Sequence, residues 1–219
     1  MDFLHTLSKR IRHWYFRASR TFEDSESYWK QRYALGGNSG AGSYNEMATF
    51  KADVLNTFVR KRSVQSVIEF GCGDGNQLRL ARYPAYHGLD VSPLAVETCR
   101  SIFTGDPTKR FGLVKDYAGE TADLALSLDV IFHLVEDEVF HAYMERLFDA
   151  GERFVIAYSS DTDDNTKTTH PHVRHRRFTD WVREHRPGWR MTRHIPNAHP
   201  YNGDNESTSF ADFFVFERV

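Results

Sequence analysis

Cysteine is scarce in this sequence: Cys72 and Cys99 are the whole complement in 219 residues. Two thiols without metal-type spacing make neither a disulfide framework nor a zinc site, and such scarcity suits a reducing compartment. Long apolar runs are missing too. No stretch approaches the roughly 18 residues that a bilayer-spanning helix needs. The opening Met1-Asp2-Phe3-Leu4-His5-Thr6-Leu7-Ser8 lacks the extended apolar core of a secretory signal, so a cytoplasmic protein is expected. Charge of one sign is also absent: 28 Lys and Arg against 30 Asp and Glu leave a formal net charge of −2. A chain with that balance carries no electrostatic footprint for duplex nucleic acid. Internal repeats, low-complexity tracts and interdomain linkers are likewise lacking.

What is present is an ordinary globular composition, 40% hydrophobic and 26% charged, in a chain long enough for one substantial α/β domain and too short for two enzymatic ones. Residues 1–20 read as a basic amphipathic helix: Phe3, Leu4, Leu7, Ile11, Trp14 and Tyr15 share a stripe, with Lys9, Arg10, Arg12, Arg17 and Arg20 around it. Such a helix packs on the domain or lies on an anionic membrane as a peripheral contact. An aromatic segment, Tyr28-Trp29-Lys30-Gln31-Arg32-Tyr33, precedes a glycine-rich stretch from Gly36 to Tyr44. That stretch lacks the Gly-Lys-Ser/Thr ending of a phosphate loop and reads as a lid or an ordered turn. A helical pattern resumes over 45–60. These parts predict an N-terminal helical cap over residues 1–60 and one compact unit over 61–219.

From Ser63 the pattern alternates. Apolar runs at 64–70, 86–89, 113–114, 122–128 and 154–158 read as buried strands, and helical patterns fall at 76–82, 93–103, 136–148 and 178–185. Alternation of this kind implies parallel strands, right-handed crossovers and helices on both faces. The last runs, 189–195 and 211–218, have no helix between them and suggest a closing antiparallel pair. The expected fold is a Rossmann-like three-layer α/β sandwich of about seven strands, mostly parallel, with an antiparallel edge strand.

The run Val67-Ile68-Glu69-Phe70-Gly71-Cys72-Gly73-Asp74-Gly75-Asn76-Gln77-Leu78 places a Gly-x-Gly-x-Gly turn directly after a buried strand. Glycine there admits positive φ and lets backbone approach a ligand closely. Nicotinamide-binding folds space their third glycine three residues after the second. Here the spacing is two, and an acid, Glu69, precedes the turn. This arrangement resembles motif I of the class I S-adenosylmethionine (SAM)-dependent methyltransferases. Three further segments in the family's order support the resemblance: Tyr86-His87-Gly88-Leu89-Asp90-Val91, Lys115-Asp116-Tyr117, and the 122–134 segment that contains Asp129 and His133.

The resemblance implies SAM as cofactor and a first set of contacts to it. Glu69 would lie near its amino group; Gly71, Gly73, Gly75 and Gln77 belong to the loop beneath it. Asp90, with Val91, would meet the ribose hydroxyls, Asp116 and Tyr117 would flank adenine, and Asp129 ends the fourth strand beside the cofactor. Tyr28, Trp29, Arg32, Tyr33 and Tyr44 are candidates for an aromatic roof that excludes water and faces the sulfonium. His133 is the candidate general base, and Tyr44 a second catalytic candidate. The activity implied is methyl transfer to a hydroxyl or amine of a small molecule, such as a sugar or another metabolite. Two alternatives stand beside it: an enzyme of this fold that consumes SAM itself and releases methylthioadenosine, and a SAM-binding protein without turnover. Asp129 and the acidic loop 159–165 have the oxygen ligands of a Mg²⁺ site, but the surrounding segments do not match the metal-dependent subfamily, and no metal is assigned. The segment from His170 to Arg177 reads equally as an anion contact and as a charged helix start.

Overall fold

The computed structural model describes residues 22–166, 168, 170–204 and 206–219. The amphipathic helix read over 1–20, with its membrane contact, lies outside the described residues. Helix α1 (Ser25–Ala34) begins where the Asp24 carboxylate accepts from the Ser27 N–H at 2.7 Å and ends at Gly36, which is left-handed at φ +79°. Helix α2 (Asn45–Lys61) buries Met47, Ala48, Lys51, Ala52, Leu55 and Val59. Strand β1 (Val67–Phe70) leads into a short 3-10 turn, Gln77–Leu80, and strand β2 (Tyr86–Asp90) follows. Helix α3 (Pro93–Ile102) has Ser92 as its cap and proline in its first turn. The remaining elements are β3 (Lys109–Leu113), β4 (Ala122–Leu128), α4 (Asp137–Ala150), β5 (Gly151–Ser159), α5 (Phe178–His185), β6 (Trp189–Ile195) and β7 (Asp212–Arg218).

Among the described residues these strands form one seven-stranded sheet in the order β3-β2-β1-β4-β5-β7-β6. Strands β1 to β5 pair in parallel, and β7 runs antiparallel between β5 and β6. Alternate residues of the central strands supply two cores. Val67, Leu124, Leu126, Phe154, Ile156 and Tyr158 pack with Leu55 and Val59 of α2 and Val96 and Cys99 of α3. Ile68, Phe70, Ala125, Val155 and Ala157 pack with Phe140 and Leu147 of α4 and Phe178 and Trp181 of α5. This period of two, with helices on both faces, is the physical content of the three-layer sandwich.

Two local expectations change. The helix read over 76–82 is only the 3-10 turn, because the chain must reach β2 within a few residues and Pro84 disfavours helical backbone at Tyr83. The third strand lies at 109–113, and 114–116 is a 3-10 turn. As an edge strand β3 fully buries only Phe111, so it has no continuous apolar run to reveal it. No helix among the described residues is long and apolar enough to cross a membrane.

Candidate functional site

The strand order reverses between β1 and β4, and such a switch point opens a crevice beyond the strand ends. The glycine turn fills one side of it. Gly71, Gly73 and Gly75 all have positive φ, and a side chain added at Gly71 would stand 2.4 Å from Val130 Cγ2. The turn is tied to β2: Gly71 N–H donates to the Leu89 carbonyl at 2.7 Å, and Gly73 N–H to Asp90 Oδ2 at 2.9 Å. Asp90 Oδ1 accepts from Ser92 N–H at 2.8 Å, so each carboxylate oxygen is positioned by one backbone donor and keeps accepting capacity.

A cavity of about 310 Å³ occupies the crevice. Of the sequence-predicted residues, Glu69, Gly71, Gly73, Gln77, Asp90, Val91, Asp129 and His133 line it, as do the roof candidates Trp29 and Tyr33. The buried Gln77 Oε1 has no partner among the described residues, so the lining holds an acceptor in need of a donor. Burial raises Glu69 to about 7 and Asp90 to about 6, since neither carboxylate has a full solvent shell for its charge. Tyr86 donates to Glu69 Oε2 at 2.6 Å.

His133 sits on a 3-10 turn, Ile131–His133, after β4. Its Nδ1 lies 2.9 Å from the His172 carbonyl oxygen. A carbonyl can only accept, so Nδ1 carries the proton and Nε2 keeps a lone pair. Burial lowers the pKa of the ring to about 4, which leaves it neutral near pH 7. The Trp29 ring meets it edge-on at 5.0 Å.

Other predicted residues stand outside the lining. Tyr28 stacks on the His172 ring at 4.1 Å, and Arg32 donates to the Asn38 carbonyl at 2.6 Å. Tyr117 packs on Phe70 and donates to the Glu120 carbonyl at 3.0 Å, and its segment reaches the cavity through Val114 instead of through Asp116 or Tyr117. Gly75 faces Cys99 and Phe103. Tyr44 donates to Asp74 Oδ2 at 2.7 Å, and burial together with that bond pushes its pKa up to about 12. Through that bond Tyr44 ties the end of the glycine-rich stretch to the glycine turn.

Residues that sequence reasoning missed close the cavity. Ser39 N–H donates to Asp74 Oδ2 at 2.9 Å while Asp74 N–H donates to Ser39 Oγ at 2.9 Å, which fastens the glycine-rich stretch onto the glycine turn. At the other end of α1, Ser25 donates through N–H and Oγ to the two oxygens of Glu136, at 2.8 and 2.6 Å. Lys51, fully buried, donates from Nζ to Asp129 Oδ2 at 2.6 Å. The one sequence signal among these is Lys51 itself, a charge four residues from Met47 and four from Leu55 on the buried face of α2.

The remaining charged segments serve the framework. Asp161 accepts from Thr179 N–H at 3.0 Å, and Arg174 and Arg176 bond the Val135 carbonyl and pair with Asp137. Among the described residues no group of three or more His, Cys, Asp or Glu side chains is arranged to hold a metal ion.

Comparison with known proteins agrees with this geometry. Residues 68–156 match the family model of a methyltransferase domain. No curated protein matches the sequence. Among solved structures, the N-methyltransferase NodS from Bradyrhizobium japonicum WM9, in complex with S-adenosyl-L-homocysteine, is similar at 13% identity and a TM-score of 0.66 over 90% of this chain and 99% of that one. The magnesium protoporphyrin IX methyltransferase from Synechocystis PCC 6803 with bound SAM is similar at 16% identity and a TM-score of 0.59, over 97% of each chain. The methyltransferase domain of a bacterial Hen1 gives 18% identity and a TM-score of 0.60 over 77% of this chain and 97% of that one. At these identities the likeness is one of fold.

Proposed function

We propose that this chain, a SAM-using enzyme with a methyltransferase domain on the class I fold, methylates a hydroxyl or amine of a small molecule. The observation that carries the proposal is the roofed cavity at the switch point, with Asp90 at one side and a neutral histidine at another. Bound SAM supplies an electrophilic methyl group on a sulfonium. Asp90 would accept from the ribose hydroxyls, as its two positioned oxygens allow. The backbone of Gly71 and Gly73 would lie beneath the cofactor, and the orphaned Gln77 Oε1 would accept from an N–H donor of it. Trp29 and Tyr33 would exclude water and face the positive charge with their rings. His133 Nε2 would take the proton of the acceptor as it attacks. Holding the acceptor in line then supplies most of the rate enhancement.

The closed roof supports a small acceptor, because α1 and residues 36–44 are fastened at both ends over the cavity. The same closure favours a second reading. A cavity of about 310 Å³ lies at the lower end of ligand-site volumes, so it suits an enzyme that consumes SAM alone. Mass spectrometry of the protein incubated with SAM and nothing else separates the two. Unconverted SAM, followed by S-adenosylhomocysteine once a hydroxyl or amine acceptor is added, is the expected result. Methylthioadenosine from SAM alone would overturn methyl transfer.

A pH dependence follows from the two raised carboxyls. Glu69 and Asp90 titrate near 7 and 6 in the empty site, and a cationic ligand with hydroxyl donors favours their ionised forms. SAM binding at pH 6.5 should release roughly one proton, and its affinity should rise from pH 5.5 to 7.5. Calorimetry in two buffers of different ionisation enthalpy measures this. A flat affinity and no proton release would remove both carboxylates from the cofactor site.

A further inference from the structure

The proposed chemistry uses the acids of the cavity but leaves its one fully buried cation without a task. Lys51 lies on the inner face of α2 among Met47, Ala48, Ala52 and Leu55 and is 0% exposed. Lys51 is among the residues that line the cavity, and its ammonium donates to Asp129 Oδ2 at 2.6 Å and stands 5.2 Å from the centre of the Tyr158 ring. An ammonium has three N–H donors. Asp129 takes one, the ring face offsets part of the charge, and no other hydrogen bond to Nζ exists among the described residues.

A purely structural pair explains these facts poorly. An ion pair withdrawn from water gives little stability relative to apolar side chains of similar volume, and leucine would suit the stripe from Met47 to Leu55 better. The partner is also held in an unfavourable state: Asp129 is a non-glycine residue at φ +58°, and a side chain added at Gly42 would stand 2.8 Å from its Oδ2. Left-handed strain of this kind persists where the surrounding structure demands it, most often at ligand sites. The other charges facing it across the lining, the buried Glu69 and Asp90 and the half-buried Asp129, are acids that complement a cationic ligand. Lys51 stands among them as a single position for negative charge.

From this geometry we infer that Lys51 is a carboxylate anchor: its remaining N–H donors receive a carboxylate within the cavity, while Asp129 holds the ammonium in place from the other side. The inference rests on the cavity being the SAM site. Two carboxylates have access to it, that of the cofactor's methionine portion and that of an acidic acceptor. In the first case Lys51 selects the intact cofactor, and in the second it restricts the acceptor to carboxylic acids.

The test compares probe pairs that differ in the carboxylate alone, on the full chain and its Lys51→Met variant. Calorimetry with SAM and with decarboxylated SAM forms the first pair. Benzoate and benzamide, titrated into protein saturated with S-adenosylhomocysteine, form the second. The expected result is that Lys51→Met weakens one carboxylate-bearing probe about tenfold or more and does not weaken its carboxylate-free counterpart, as the loss of a charge-assisted hydrogen bond requires. A split in the first pair assigns the anchor to the cofactor, and a split in the second to the acceptor. Equal losses within both pairs, or none, would overturn the anchor and leave a structural ion pair. Should Lys51→Met fail to fold, the wild-type ratios decide: equal affinity within each pair overturns the inference. Wild-type protein that binds neither SAM nor its decarboxylated form would instead refute the cofactor reading, and benzoate against benzamide, titrated without cofactor, would still report on Lys51.

Discussion

Replacing Asp90 with alanine should lower SAM affinity by about 10² to 10⁴-fold. The carboxylate is buried at the end of β2 and accepts one backbone N–H on each oxygen, from Gly73 and Ser92. In the proposed complex each oxygen also accepts from a ribose hydroxyl. Two hydrogen bonds to a charged acceptor are together worth about 3–6 kcal/mol, which converts to that range of affinity. Alanine also leaves the Gly73 N–H without its acceptor, so the glycine turn should loosen and the melting temperature fall. Asp90→Asn separates these effects. It keeps an acceptor for one backbone donor but cannot serve both hydroxyls, so it should retain most of the stability and still lose most of the affinity. Calorimetry and thermal unfolding on the same samples distinguish the outcomes. SAM affinity in Asp90→Ala within threefold of wild type would remove Asp90 from the cofactor site.

The parts of this site that the sequence reveals are those built from neighbours in the chain. The turn from Glu69 to Gly75 is visible because a strand, three positive-φ glycines and the next helical turn are consecutive. Asp90 is visible because it closes an apolar strand. The roof is less legible in the sequence. In α1 the pairs Tyr28/Arg32 and Trp29/Tyr33 each recur at a spacing of four and differ by one residue, or about 100° of helix rotation. Aromatic and charged residues are mixed around this helix, so nothing in its pattern shows which pair turns inward; packing places Trp29 and Tyr33 at the cavity. Tyr117 lies outside the lining for a related reason. Its position after β3 is correct, but an aromatic contact with Phe70 and a bond to Glu120 turn the side chain elsewhere. The closures at Ser25–Glu136 and Ser39–Asp74 join positions 111 and 35 residues apart. No local pattern encodes such a contact, because each partner alone reads as an ordinary cap or turn residue.

Replacing His133 with asparagine should reduce kcat toward a hydroxyl acceptor by about 10² to 10⁴-fold, the usual contribution of a positioned general base, and should leave SAM affinity within a few-fold. The argument rests on the state of the ring. The His172 carbonyl fixes the proton on Nδ1, and burial holds the pKa near 4, so the basic form is already present across the physiological range. A histidine is a base only above its pKa; kcat should therefore stay level from pH 6 to 8 and fall on an acid limb near pH 4, not near the ordinary value of 6.5. The same shift acts on stability in a defined direction. Between pH 6.5 and 4 the unfolded chain takes up a proton that the folded ring refuses, so this residue's contribution to stability falls as the pH falls through that window. Glu69 and Asp90 act in the opposite sense, because their raised pKa values let the folded state hold protons that the unfolded chain releases. His133→Asn should therefore lose this residue's share of the pH dependence, so that its stability relative to wild type rises as the pH falls from 6.5 to 4. A variant that keeps kcat within threefold would exclude His133 as the base, leaving it as the group that joins the turn after β4 to the segment around His172. A wild-type acid limb centred near pH 6.5 would mean that the ring titrates as a solvated histidine during turnover, with the roof open instead of closed.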